Sequence, residues 1–161
     1  MKKTKKILCI SIFLIGIIAL IGIINFQTKK LEETKKVQIF FNNTNFDPEI
    51  SCNKVFPVIR NVEDKPAIAT MAIEELLKGL TEDEERQGYT NSIPVNVKLN
   101  KINITDGTAF VDFNEELEKG VGGSCRVSSI RAQITETLKQ FSIIQNVTIS
   151  INGRTEDILQ P

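Results

Sequence analysis

Residues 95–113, VNVKLNKINITDGTAFVDF, decide the fold, because they read as two strands joined by a two-residue turn. Asp106-Gly107 stands at the join, and that dipeptide suits a hairpin turn whose two central residues both need positive φ. Val97, Leu99, Ile102 and Ile104 do not keep one strict alternation along Val95–Ile104. A bulge near Asn100-Lys101 returns them to a single buried face. The second strand, Thr108–Phe113, follows directly.

Toward the C-terminus, Asn114–Leu117 reads as one helical turn and Lys119–Ser124 as a Gly-rich loop. A long helix is expected over Arg126–Phe141, where Val127, Ile130, Ile134, Leu138 and Phe141 recur three or four residues apart and form one apolar stripe. Asn146–Asn152 is a closing strand with Val147, Ile149 and Ile151 alternating inward. Toward the N-terminus, Val37–Phe41 is a short β-branched and aromatic strand ending in the turn cluster Asn42–Asn45 and the Asp47-Pro48 pair. Val55–Val62 is a second strand, and Pro57 within it, unable to donate to a ladder, implies an edge or a bulge. Pro66 opens a helix with Asp64 as its cap, and Gly79 closes it. Thr81–Gly88 is an acidic connector in which Thr81 and Glu84 have capping-box spacing. The order β-β-α-β-β-α-β predicts an α+β domain: a small antiparallel or mixed sheet with two helices packed on one face.

Ahead of this domain, Ile7–Phe26 is a run of twenty uncharged residues, ILCISIFLIGIIALIGIINF. As a helix it is roughly 30 Å long, enough to cross a hydrocarbon core. No small-x-small cleavage site precedes Gln27. Cys9 stands at the start of the run behind Leu8, not after it as a lipidated cysteine would. An uncleaved anchor is therefore expected over a cleaved signal or a lipoprotein. Lys2, Lys3, Lys5 and Lys6 are denser than Lys29, Lys30, Lys35 and Lys36, which Glu32 and Glu33 interrupt, and this places the N-terminus inside. The expected organisation is an N-terminal transmembrane signal anchor (1–26), a juxtamembrane linker (27–36) and an extracytoplasmic domain (37–161) of a single-pass cell-membrane protein.

Composition excludes several functions. Of 20 basic and 20 acidic residues, four lysines precede the apolar run, leaving 16 against 20 in the remainder. That balance does not suit a nucleic-acid-binding face. The chain has no histidine, so a Ser-His-Asp or Cys-His nucleophile is ruled out. Three scattered cysteines make no zinc site of nitrogen and sulfur ligands, and neither a metal nor a cofactor is expected.

Several stretches, taken in order, carry a family resemblance. They are Phe56–Arg60; Ala72–Gly79 with Thr81 and Glu84; Ser92-Ile93-Pro94; Asp106–Phe113; Gln133-Ile134 with Thr137–Phe141; and Val147–Gly153. Together they resemble the GerMN domain, the sporulation and spore-germination domain of bacterial envelope proteins, over a core of about 55–154. Leu80 replaces the proline usual after the helix-ending glycine, which costs little because Gly79 can end the helix alone. The resemblance implies an extracytoplasmic domain without catalytic residues that works through protein or cell-wall contacts.

Cys52 and Cys125 both lie in loops, and in an oxidising compartment a bond between them closes a loop of about 73 residues. Arg60, Arg126 and Arg131, with the loop through Gly123 and Ser124 running into a helix N-terminus, form the candidate binding surface. Asp112, Glu115, Glu116 and Glu118 read as a solvated acidic face; their spacing is not that of a calcium loop. The function expected is a non-catalytic, membrane-anchored module that binds an envelope protein, itself or peptidoglycan. The alternative is a histidine-independent carboxylate hydrolase acting on cell-wall material.

Overall fold

The computed structural model of the chain describes residues 16–18, 20 and 34–160. Residues 16–18 and 20 are helical and expose Ile17, Ile18 and Leu20. The remainder of the expected anchor over 7–26, and linker residues 27–33, lie outside the described residues. Among the described residues no helix is long and apolar enough to cross a membrane.

The domain is α+β, but its strands form two sheets and not one. The first has the order β2-β1-β3, with β1 at Thr34–Asn43, β2 at Phe56–Glu63 and the two-residue β3 at Tyr89–Thr90. The second has the order β4-β5-β6, with β4 at Leu99–Thr105, β5 at Thr108–Phe113 and β6 at Asn146–Ile151. Helix α1 spans Ile68–Lys78, α2 Glu82–Arg86 and α3 Ser124–Lys139, and Glu115–Leu117 is a 3₁₀ turn. One apolar core joins both sheets and the long helices, with Phe41, Ile73, Leu76, Phe113, Ile130 and Ile134 fully buried. Helices α1 and α3 pack on each other, α3 also on β6, and α1 on β2 and β4.

The hairpin forms as its turn requires. Asp106 and Gly107 take φ of 48° and 74°, and a β carbon at Gly107 would overlap the Gln145 side chain. The register slips between Leu99 and Lys101, leaving Asn100 as the bulged residue. Strand β5 then pairs in parallel with β6, Phe113 opposite Ile151. A parallel neighbour needs a long crossover, and α3 supplies it. Pro57 lies on β2, an outer strand of its sheet.

Several boundaries depart from the sequence reading. Strand β1 begins at Thr34, inside the expected linker, because Lys35 and Lys36 continue its extended backbone with exposed side chains. Residues 95–98 precede β4 and do not belong to it, since Asn96 takes φ of 65° and breaks the extension. Helix α1 starts at Ile68 on an Ala67 cap with no side-chain hydrogen bond, so Asp64 does not cap it. The Thr81–Glu84 capping box is present and opens α2, a turn of helix where only a connector was expected.

The edge of β1 ahead of Asn42 is closed by a helix. Strand β3 reaches only Asn42 and Asn43. Upstream, Thr137 Oγ1 accepts from Phe40 N–H at 3.1 Å. The Gln140 carboxamide accepts from Gln38 N–H at 2.8 Å and donates to Gln38 O at 2.6 Å, as a neighbouring peptide group would. The fully buried Gln133 donates to Asn42 Oδ1 at 2.9 Å. Thr137 of α3 and its cap Gln140, three residues apart, thus meet β1 backbone groups that an open edge would leave for another chain, while Gln133 holds the Asn42 side chain.

Candidate binding surface

The β1–β2 connection and the start of α3 are tied together by the Cys52–Cys125 disulfide, with the two Cα atoms 4.9 Å apart. Around it lies a hollow of about 320 Å³ lined by Asn42, Asp47, Ile50, Ser51, Ser92 and Arg126, among others, together with both cysteines. The loop is also held from within. Asp47, 7% exposed, accepts from Ser51 N–H at 2.6 Å and Ser51 Oγ at 3.2 Å, and Lys54 stands 3.6 Å away. Ser129 Oγ of α3 donates to Cys52 O at 2.5 Å. Within this frame Ile50 takes φ of 53° while the residue is 67% exposed. Left-handed backbone is a true outlier for a β-branched residue and costs about 1–3 kcal/mol. Here no burial of the side chain offsets it.

The three arginines have different surroundings. Arg126 is exposed at the first turn of α3, donating through Nε to Ser92 O and through Nη1 to Gly120 O, both at 3.2 Å. Gly123, with φ of 85°, is the helix cap, and that first turn has neither a side-chain cap nor an acidic residue. Arg131 is exposed farther along and donates to Ile158 O at 3.1 Å, holding the C-terminal segment against the helix. Arg60 does not belong to an open surface. Its Nη2 donates to Gly79 O at 3.0 Å and to Glu84 Oε2 at 2.6 Å, with the pair's side chains 16% and 13% exposed. The same Glu84 oxygen accepts Thr81 N–H, so Arg60 joins β2 to the end of α1 and the cap of α2. Only Gly123, Ser124 and Arg126 of the expected surface thus adjoin one another at the start of α3, and of these Arg126 lines the hollow. The Asp47–Ser51 loop, with Ile50 at its end, was not legible as a site.

The acidic group has a structural task that its sequence context did not show. Asp112 Oδ1 accepts from Ser150 Oγ and from Gly153 N–H, each at 2.7 Å, and Oδ2 accepts from Asn100 at 3.0 Å. It therefore locks the β4 bulge to the turn after β6. Burial pushes the Asp112 carboxyl up, but the bonds from Ser150, Asn100 and Gly153 outweigh it and hold its pKa below the ordinary 3.8. Glu115 is likewise lowered, chiefly by a bond from Asn152. A carboxyl depressed in the folded state contributes stability above its unfolded pKa and loses it as pH falls through the folded value. Urea unfolding of Asp112→Ala should show a loss of about 2 kcal/mol at neutral pH. Below pH 3.8 the gap between variant and parent should close. A gap unchanged with pH would show that the carboxylate's charge has no part in the lock.

A model of the Germane family, described as sporulation and spore germination, matches residues 38–157. No curated protein matches the chain. Among solved structures, the tandem GerMN domains of the sporulation protein GerM from Bacillus subtilis are similar at a TM-score of 0.61 and 24% identity, over 80% of this chain and 43% of that one. The first GerMN domain of the same protein is similar at 0.55 and 24%, over 76% and 86%. A putative lipoprotein from Clostridium perfringens is similar at 0.51 and 16%, over 80% and 82%. At these identities the likeness concerns the fold, and the chain spans less than half of the tandem structure.

Proposed function

This chain belongs to the Germane family of sporulation and spore germination domains, and we propose that it is a membrane-anchored, non-catalytic envelope module that binds a partner through the hollow between the β1–β2 loop and the start of α3. The observation that carries the reading is Ile50. A strained backbone in a loop held by a disulfide and by Asp47, at an apolar residue left 67% exposed, suits a residue whose contact lies outside the chain. The exposed Phe46, which packs edgewise on Tyr89 and also touches Phe56, enlarges the apolar patch of the same loop. Arg126 gives the hollow a cation, and interfaces commonly combine an apolar anchor with an arginine. The partner classes are an envelope protein, peptidoglycan or a second copy of this chain, presented outside the cytoplasm by the apolar run at 7–26. The hydrolase reading is less well supported, because each oxygen of the Asp112 carboxylate is already engaged within the fold.

Crosslinking capture from intact membranes and co-sedimentation with purified cell-wall sacculi test this for the parent chain and for Ile50→Asp with Arg126→Ala. Loss of one apolar anchor and one charge is expected to weaken capture roughly tenfold, equivalent to about 1.4 kcal/mol. The parent fold should be kept, since both residues are exposed and Asp tolerates the left-handed backbone at 50, which offsets the two hydrogen bonds lost with Arg126. Equal capture by parent and variant would remove the hollow from the reading. Wall- or ester-cleaving activity of the purified chain that disappears in Asp112→Asn would favour the hydrolase.

A further inference from the structure

We propose that the end of the domain at which β1 begins docks on the lipid bilayer surface, with Ile143 inserted at the headgroup boundary. The inference rests on the membrane-anchor reading above and adds to it a second surface, remote in sequence from the Ile50 loop.

An apolar hollow of about 530 Å³ lies between α1, β4 and the end of α3, lined by Ile68, Ala69, Ile102, Ile104, Phe141 and Ile143, among others. Here the helices cover β4 less completely than they cover β5. On β5 the inward residues Ala109 and Val111 are fully buried, whereas Ile102 and Ile104 on β4 are only half-buried. Ile143, just past α3, is 64% exposed at the rim.

Chain length says what lies near this rim. The paired hydrogen bonds between Gln140 and Gln38 set the end of α3 beside the start of β1. The apolar run ends at Phe26, eight residues before Thr34. Fully extended, those eight residues reach about 28 Å. A folded chain of this size has a radius of gyration of about 14 Å, so the tether is no longer than the domain is wide. With the run in a membrane, chain connectivity alone keeps the start of β1, and with it Gln38, Gln140 and Ile143, within reach of the bilayer.

The side chains there suit an interface between water and lipid. Lys35, Lys36 and Lys139 are exposed at this end. So are Asp64, before the helix that lines the hollow, and Asp106, in the turn whose Gly107 carbonyl accepts from Gln145 and Asn146. Lys65 pairs with Glu63. The charges nearly cancel, so docking depends on apolar insertion more than on anionic headgroups.

The test uses the full chain with Cys9→Ser, reconstituted in vesicles of phosphatidylcholine and phosphatidylglycerol carrying doxyl-labelled lipid. A fluorophore is placed at Ile143→Cys, at Ser142→Cys as a second reporter, or at Val95→Cys as the reference. Val95 is 81% exposed beside Asn96, which bonds Asn114 at the other end of the hairpin ladder. Lipid quenching at 142 and 143 is expected to exceed that at 95 by about threefold or more, with little change on adding salt. Equal quenching at all three positions in chains that float with the vesicles would overturn this inference and leave the anchor standing. Failure of the chain to float would overturn the anchor reading and this inference with it.

Discussion

Replacing Cys52 and Cys125 together with alanine is expected to lower the unfolding free energy by about 4 kcal/mol. The bond closes a sequence separation of 73 residues, a long loop, and loop entropy removed from the unfolded chain grows with that length. The Cα separation of 4.9 Å lies inside the usual range for a disulfide, so the native backbone need not distort to make it. On the folded side the loss is softened, because Ser129 still donates to Cys52 O and Asn42 to Lys54 O. The cost therefore falls mainly on the unfolded ensemble, and the variant should keep the parent's fold while unfolding at lower urea. Urea titrations of the oxidised parent and the double variant, compared by midpoint and slope, measure it directly. A difference below about 1 kcal/mol would mean that the reduced unfolded chain is already compact around these segments.

What the sequence made legible was short-range. Asp106-Gly107 specified a turn because its backbone preference is local, and the broken alternation around Asn100 marked the bulge for the same reason. The stripe Val127, Ile130, Ile134 and Leu138 marked the buried face of α3. The division into two sheets was not legible. It depends on where β1 stops pairing with β3 and where the Gln140 carboxamide and the Thr137 hydroxyl take over, with Gln133 fixing the Asn42 side chain at the boundary. Those partners are 91 to 102 residues away in sequence, and a polar residue on a helix carries no local sign of them.

The proposed surface shares some residues with the sequence reading and not others. Arg126 beside Gly123 and Ser124 stood out as a cation next to a helix start, and the structure gives Arg126 a hollow to face. Arg60 looked the same in sequence, yet a β-strand arginine can reach a helix end, and Glu84 and the Gly79 carbonyl engage it there. Ile50 gave no signal, because a β-branched residue has no local preference for the left-handed backbone it takes, and the disulfide that ties its loop to α3 reaches Cys125, 73 residues beyond Cys52.

Truncating Phe113 to alanine should cost about 4 kcal/mol, while the same change at Phe110 should cost less than about 1 kcal/mol. The two residues share β5 and differ by three positions, so the pleat points them to opposite faces. Phe113 is fully buried, set in register between Leu99 of β4 and Ile151 of β6, and its loss would leave a cavity that β-sheet backbone on both sides cannot collapse to fill. Phe110 is 47% exposed between Asn103 and Thr148 on the outer face, where water already covers nearly half of the residue. Urea unfolding of the two variants under identical conditions gives the difference without any assumption about the absolute stability of the parent. Comparable losses at the two positions would mean that the outer face of the β4-β5-β6 sheet is itself covered, and the register of β5 against the core would have to be reassigned.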